Sequence, residues 1–147
     1  MKPLMIDELV AMWDKDAEID QTDPGREIIR IPILHSKYVK QHVAHSLAAK
    51  QCNIELARMK KIKWEYYTGK MDQESLKKYG WEPFRFTLKG DINTYLDSDE
   101  DLSKILAKRA LHDQAIEFCT AVMKELNNRT WQIKEFMGWE KFIQGHH

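Results

Sequence analysis

Cysteine is scarce: Cys52 and Cys119 are the only two in 147 residues. Neither belongs to a CxxC pair or a spaced framework, so both read as core thiols on helices, and a reducing, cytoplasmic setting is the simplest expectation. Six glycines and four prolines leave long stretches free of helix breakers. No apolar run reaches the roughly 18 residues of a transmembrane helix. The apolar N-terminal stretch is interrupted by Asp7 and Glu8, unlike the core of a signal peptide. GxGxxG, P-loop, GxSxG and HExxH patterns are all missing, so nothing nominates an enzyme, a catalytic residue or a cofactor. Charge of one sign is missing too, with 23 basic and 23 acidic side chains.

What is present suits one soluble globular domain over residues 1–144, with 43% hydrophobic content. Gly145-His146-His147 is set aside as either native or the stub of a purification tag. The balanced total hides an uneven distribution. Residues 33–70 hold 8 basic and 2 acidic side chains, while residues 1–32 hold 4 and 8. His35, His42 and His45 fall in the same positive segment. A basic stripe on one element is the footprint of a polyanion binder, although a solvated helix face gives the same count.

Residues 4–15 read as a short amphipathic helix. Residues 16–32 read as acidic and then extended: Asp23-Pro24-Gly25 signals a turn, and Ile28 to Ile33 is β-branched and interrupted by Pro32. From Ile33 to about Tyr67 the composition predicts one long helix ended by Gly69. Phe84, Phe86 and Leu88, then Ile92, Thr94 and Leu96, alternate around Lys89-Gly90-Asp91, which predicts a short β-hairpin. Ser98 to Asp101 reads as an N-cap with an acidic first turn. A second long helix follows to about Asn127 or on to Phe142. Leu102, Ile105, Ile116, Cys119, Met123, Leu126, Ile133 and Met137 form a heptad seam on it, with Arg109, His112 and Thr130 as polar exceptions. Leu111, Ala115, Phe118 and Val122 make a second stripe. Two stripes on one helix suggest contacts within and between subunits, and the seam is the candidate oligomer interface. The expected fold is mainly α, with long helices, a short β-hairpin in the middle and assembly into a helical homo-oligomer.

His42 and His45 are spaced i, i+3, as metal ligands on one helix face would be, but no further ligand completes the set. They read as surface or interface histidines, and no metal site is nominated. The informative stretch runs from Arg58 to Lys70. On a helix, Met59, Ile62 and Tyr66 share a face with Cys52, which reads as the core side. Lys60, Lys61 and Trp64 point nearly the opposite way, with Lys63 and Tyr67 on one flank and Arg58 on the other. Ammonium groups around a solvent-facing ring suit sequence-tolerant binding of single strands, since lysines neutralise phosphates and rings stack on bases. The candidate nucleic-acid-binding residues are Arg58, Lys60, Lys61, Lys63, Trp64, Tyr67 and Lys70. Packing between subunits is an equal reading of Trp64.

Lys61-Ile62-Lys63-Trp64-Glu65-Tyr66-Tyr67-Thr68-Gly69 resembles the Lys-x-basic-x-acidic-Tyr-Tyr-Ser/Thr-Gly motif of the UvsY recombination mediators of T-even-like phages. Leu34-His35-Ser36-Lys37-Tyr38 and onward to His42 resembles the opening of that family's long helix. Asp14-Lys15-Asp16 and Ile19-Asp20 are also similar. The resemblance implies a non-enzymatic, single-stranded-DNA-binding mediator. Such a mediator helps a RecA-like recombinase load onto DNA covered by the phage single-strand-binding protein, and it acts as a ring-like homo-oligomer, a hexamer or heptamer. The family's DNA-contacting basic residues carry over onto Lys61 and Lys63. Two departures stand out: Lys63 replaces the usual Arg, and Trp64 replaces an aliphatic residue. A helical scaffold or adaptor that binds only protein is the alternative. An ideal helix also sets Lys61 and Lys63 about 160° apart, so one strand cannot meet both from one straight helix.

Overall fold

The computed structural model describes residues 2–84 and 89–145. Five helices follow in order: α1 (Ile6–Asp16), α2 (Pro24–Tyr67), α3 (Gln73–Tyr79), α4 (Ile92–Asp97) and α5 (Glu100–Ile143). There is no strand among the described residues. The chain groups into two compact units, one from residues up to Leu47 and from Leu111 onward, the other from Ala48 to Ala110. Helices α2 and α5, 44 residues each, contribute to both.

In the first unit, α1 packs with the first half of α2 and the second half of α5. Leu9, Leu34, Tyr38, Ala115, Cys119, Val122 and Leu126 form its core. The α5 contribution, Ala115, Cys119, Val122, Leu126 and Ile133, follows the 3–4 spacing of one helix face. Members of both stripes expected from sequence, Cys119, Leu126 and Ile133 from one and Ala115 and Val122 from the other, thus share one buried face, while Leu111 stays exposed. Cys119 is fully buried, and that burial pushes its thiol up to about 11. Arg129 continues the same face and is buried. Its Nη1 donates to the Asp16 carbonyl at 2.9 Å and its Nη2 to the Ala17 carbonyl at 3.0 Å. These are orphan acceptors at the end of α1. The Asp16 carboxylate accepts from the Tyr38 hydroxyl at 2.9 Å and pairs with Lys37 Nζ at 2.7 Å.

Two expectations are corrected here. Residues 24–32 are helical, not extended. Asp23 Oδ1 accepts from the Arg26 amide at 3.3 Å, so Asp23-Pro24 is a cap followed by proline in the first turn, where its missing N–H costs nothing. Pro32 lies inside α2, at a cost of about 3 kcal/mol. Flanking contacts offset it: Leu34 and Ile31 join the core, and Arg30 bridges Glu27 and Asp16. The second hairpin strand is instead α4, because Ile92, Tyr95 and Leu96 also satisfy the i, i+3, i+4 pattern, which buries Leu96. Phe86 and Leu88 of the first strand lie outside the described residues. Of the two ends expected for the second long helix, the longer holds: α5 runs without a break through Asn127-Asn128 to Ile143.

In the second unit α2 ends as expected. Gly69 adopts φ 73°, its amide donates to the Tyr66 carbonyl at 3.1 Å, and the Lys70 amide donates to the Glu65 carbonyl at 2.9 Å. This is a Schellman ending, which needs a left-handed residue. Gly80 ends α3 the same way, with the Trp81 amide reaching the Leu76 carbonyl at 3.0 Å.

Candidate nucleic-acid interface

The buried seam of α2 in the second unit is Ala49, Cys52 and Lys63, with Leu56 and Met59 half-buried between them. These positions follow 3–4 spacing, so Lys63 occupies the next core register and not a flank. Lys63 is only 6% exposed. Its Nζ lies 2.7 Å from Asp101 Oδ2 and 3.1 Å from Asp99 Oδ2, and 4.0 Å from the centre of the Trp81 ring. Burial alone would pull the lysine down, but the bonds to Asp101 and Asp99 hold it above its ordinary value. The cation is therefore fully neutralised by carboxylates at the start of α5. In this arrangement the ammonium faces Asp99, Asp101 and Trp81, which corrects the flank position expected for Lys63 from the helix projection.

Tyr67, one turn on, joins the same cluster. Its hydroxyl donates to Asp99 Oδ2 at 2.5 Å, and burial together with that bond pushes the phenol well above its ordinary range. Asp99 also caps α5 by accepting the Leu102 amide on Oδ1 at 3.0 Å. Around this polar centre the rings of Tyr66, Tyr67, Trp81, Phe84 and Tyr95 pack with centroids 5.1–5.7 Å apart. Tyr66 donates its hydroxyl to the Glu82 carbonyl at 2.8 Å. Aromatic pairs at such distances add stability beyond their buried area.

The other side of α2 is open. Arg58, Lys60, Lys61 and Lys70 are exposed. Trp64 is 40% exposed, and Lys70 Nζ stands 4.4 Å from the centre of its ring. The structure thus brings Lys60, Lys61, Trp64 and Lys70 to solvent and turns Lys63 and Tyr67 inward. The partners of the inward pair, Asp99, Asp101 and Trp81, escaped the sequence reading. The acidic trio after Ser98 was visible only as a helix cap, although the 3–4 continuation from Cys52 to Lys63 signalled a buried lysine in need of carboxylates.

The seam on α5 is similarly redistributed. Leu102, Cys119, Leu126 and Ile133 are buried within the chain, and Ile105, Ile116, Met123 and Met137 are half-buried. The first four are therefore closed to a second copy, because they are already packed internally. Apolar side chains open to solvent on α5 are Leu106, Leu111, Trp131, Trp139, Phe142 and Ile143. Two of the polar exceptions, Arg109 and His112, meet polar partners on α2. Arg109 Nη1 donates to Asn53 Oδ1 at 3.0 Å, and His112 Nδ1 lies 2.9 Å from His45 Nδ1. His45 is buried, contrary to its reading as a surface or interface residue, and its Nε2 lies 2.8 Å from the Leu4 carbonyl. No group of three metal-ligating side chains occurs among the described residues. No helix there is long and apolar enough to cross a membrane.

A family model described as "Recombination, repair and ssDNA binding protein UvsY" matches residues 12–146. The recombination protein uvsY of Enterobacteria phage T4 is 23% identical over 144 residues, covering 97% of this chain and 99% of that protein. Two crystal structures of the bacteriophage T4 recombination mediator protein UvsY superpose with TM-scores of 0.82 and 0.79. Their identities are 20% and 19%, and they cover 96% and 95% of this chain and 98% of each of theirs. At that identity the structures establish a shared fold.

Proposed function

The chain belongs to the UvsY family of recombination, repair and single-stranded-DNA-binding proteins, and from that premise we propose that it is a phage recombination mediator. It binds single-stranded DNA through the outward face of α2 and helps a RecA-like recombinase load onto strands covered by single-strand-binding protein. It acts without catalysis, in the cytoplasm of the infected cell, as a ring-like homo-oligomer of six or seven copies. The observation that carries the reading is the solvent-facing group of Lys60, Lys61, Trp64 and Lys70 around one exposed ring. Arg58 extends the same charge toward the N-terminal side. Lysines here can follow a phosphate backbone without reading sequence, and a ring beside them can stack on any base. The apolar side chains left open on α5 supply the surface for self-association.

Titration of labelled oligo-dT at several salt concentrations tests the binding face. Lys60→Ala with Lys61→Ala should weaken binding and flatten the salt dependence by about 0.7 for each phosphate no longer neutralised. Unchanged affinity in that double variant would overturn the site. No binding by the native chain at low salt would favour an adaptor that binds only protein.

A further inference from the structure

Lys63 matches a motif position whose basic residue is expected to touch DNA, yet it is buried against two carboxylates and a ring. We propose that Lys63 is a positioning residue of the DNA-binding face, acting through Asp99, Asp101 and Tyr67 and not through a phosphate. The proposal rests on the DNA-binding reading of α2 given above.

The geometry is that of a latch on the last turns of α2. Lys63 and Tyr67 are one turn apart on the same side, and both end on the Asp99 carboxylate. That carboxylate is itself fixed by capping α5 through the Leu102 amide. Two side chains of α2 held on one rigid acceptor set the rotation of the helix about its axis. Trp64 lies about 100° and Lys61 about 160° around the helix from Lys63. A fixed rotation therefore holds both toward solvent, and a released one lets the face turn or fray ahead of Gly69. Trp81 lies over the ammonium, and Lys63 is buried there. Drawing Lys63 out to a phosphate would strand Asp99, which is buried, without its cation.

The two roles predict opposite signs for the acidic partners. If Lys63 touched DNA, removing the negative charge beside it would free the lysine and raise affinity. If it positions the face, the same change loosens the latch and lowers affinity. The experiment titrates the full-length chain with labelled oligo-dT across a salt series, well below the melting temperature. Variants are Lys63→Met, Lys63→Arg, Asp101→Asn and, as reference, Lys61→Ala. The expected result is an affinity loss of about tenfold in Lys63→Met and about threefold in Asp101→Asn. Both should keep the native salt slope, because the number of phosphates met is unchanged. Lys63→Arg should restore most of the affinity, and Lys61→Ala should flatten the slope by about 0.7.

Tighter binding by Asp101→Asn, or a slope in Lys63→Met flattened as much as in Lys61→Ala, would overturn the proposal. So would native affinity in a folded Lys63→Met, since a role in stability alone leaves the folded protein's affinity untouched. Should Lys63→Met fail to fold, the sign of the Asp101→Asn change decides, because Asp101 is half-exposed and its loss is mild. Failure of the native chain to bind oligo-dT is a separate outcome: it overturns the DNA-binding reading itself, and the proposal with it.

Discussion

Tyr67 and Asp99 join the end of one long helix to the start of the other: the Tyr67 hydroxyl donates to Asp99 Oδ2 at 2.5 Å. The opposite oxygen, Oδ1, caps α5 through the Leu102 amide at 3.0 Å. Replacing Tyr67 with Phe removes the donor and keeps the ring. A hydrogen bond to a charged group is worth about 1.5–3 kcal/mol, so the urea midpoint should fall accordingly while helix content by circular dichroism stays native. An unchanged midpoint would mean that the bond contributes nothing net.

The same cluster gives a defined pH dependence. Burial disfavours the Asp99 charge, but bonds from Tyr67, the Leu102 amide and Lys63 outweigh it and hold the carboxyl below its ordinary 3.8. Its contribution is therefore full above that value and is lost as pH falls through the lower folded one. Lys63 is held above 10.5, so its contribution is full below that pH and is lost as pH rises through its folded value. Stability from this cluster should be level between about pH 4 and 10 and decline outside, with Asp99→Asn less stable at neutral pH and flatter in acid. Thermal melts across pH check both limits.

Trp64 is exposed beside the lysines on the outward side of α2. Trp64→Ala should cost about 1–3 kcal/mol of oligo-dT affinity, the worth of one stacked base, with little change in melting temperature. A large fall in melting temperature with native affinity would instead assign the ring to packing.

Gly69→Ala places a side chain at φ 73°, although its Cβ would meet open space. The cost is conformational, about 1–2 kcal/mol, and should appear as a lower denaturation midpoint. Gly25→Ala, inside α2 with nothing near its Cβ, should stabilise by about 0.5–1 kcal/mol. The opposite signs of two identical substitutions separate backbone strain from helix propensity.

Arg129→Met should cost about 1.5–3 kcal/mol, because the Asp16 and Ala17 carbonyls lose their charged donor. Amide hydrogen exchange should quicken in α1 first, since those two bonds hold its last turn. Uniform quickening across all helices would contradict a local role.

The long helices were legible in the sequence because their causes are local. A stretch from Ile33 to Tyr67 without Pro or Gly, a glycine at 69 and an acidic cap before Leu102 each act within a turn or two. The motif from Lys61 to Gly69 and its basic surroundings likewise pointed to the family and to the segment proposed above to bind DNA. Tertiary contacts decided the rest. Pro32 stays in a helix because distant partners such as Asp16 and the core offset its local penalty. The Ile92 to Leu96 run fits both a period of 2 and a period of 3.6, and only packing chooses between them. Most of all, Lys63 was readable as a cation but not as a buried one. The carboxylates that neutralise it stand 36 and 38 residues further on, at Asp99 and Asp101. A helix projection orders side chains around one axis, but it cannot show which side the rest of the chain will cover. That covering separates the Lys61 that faces solvent from the Lys63 that does not.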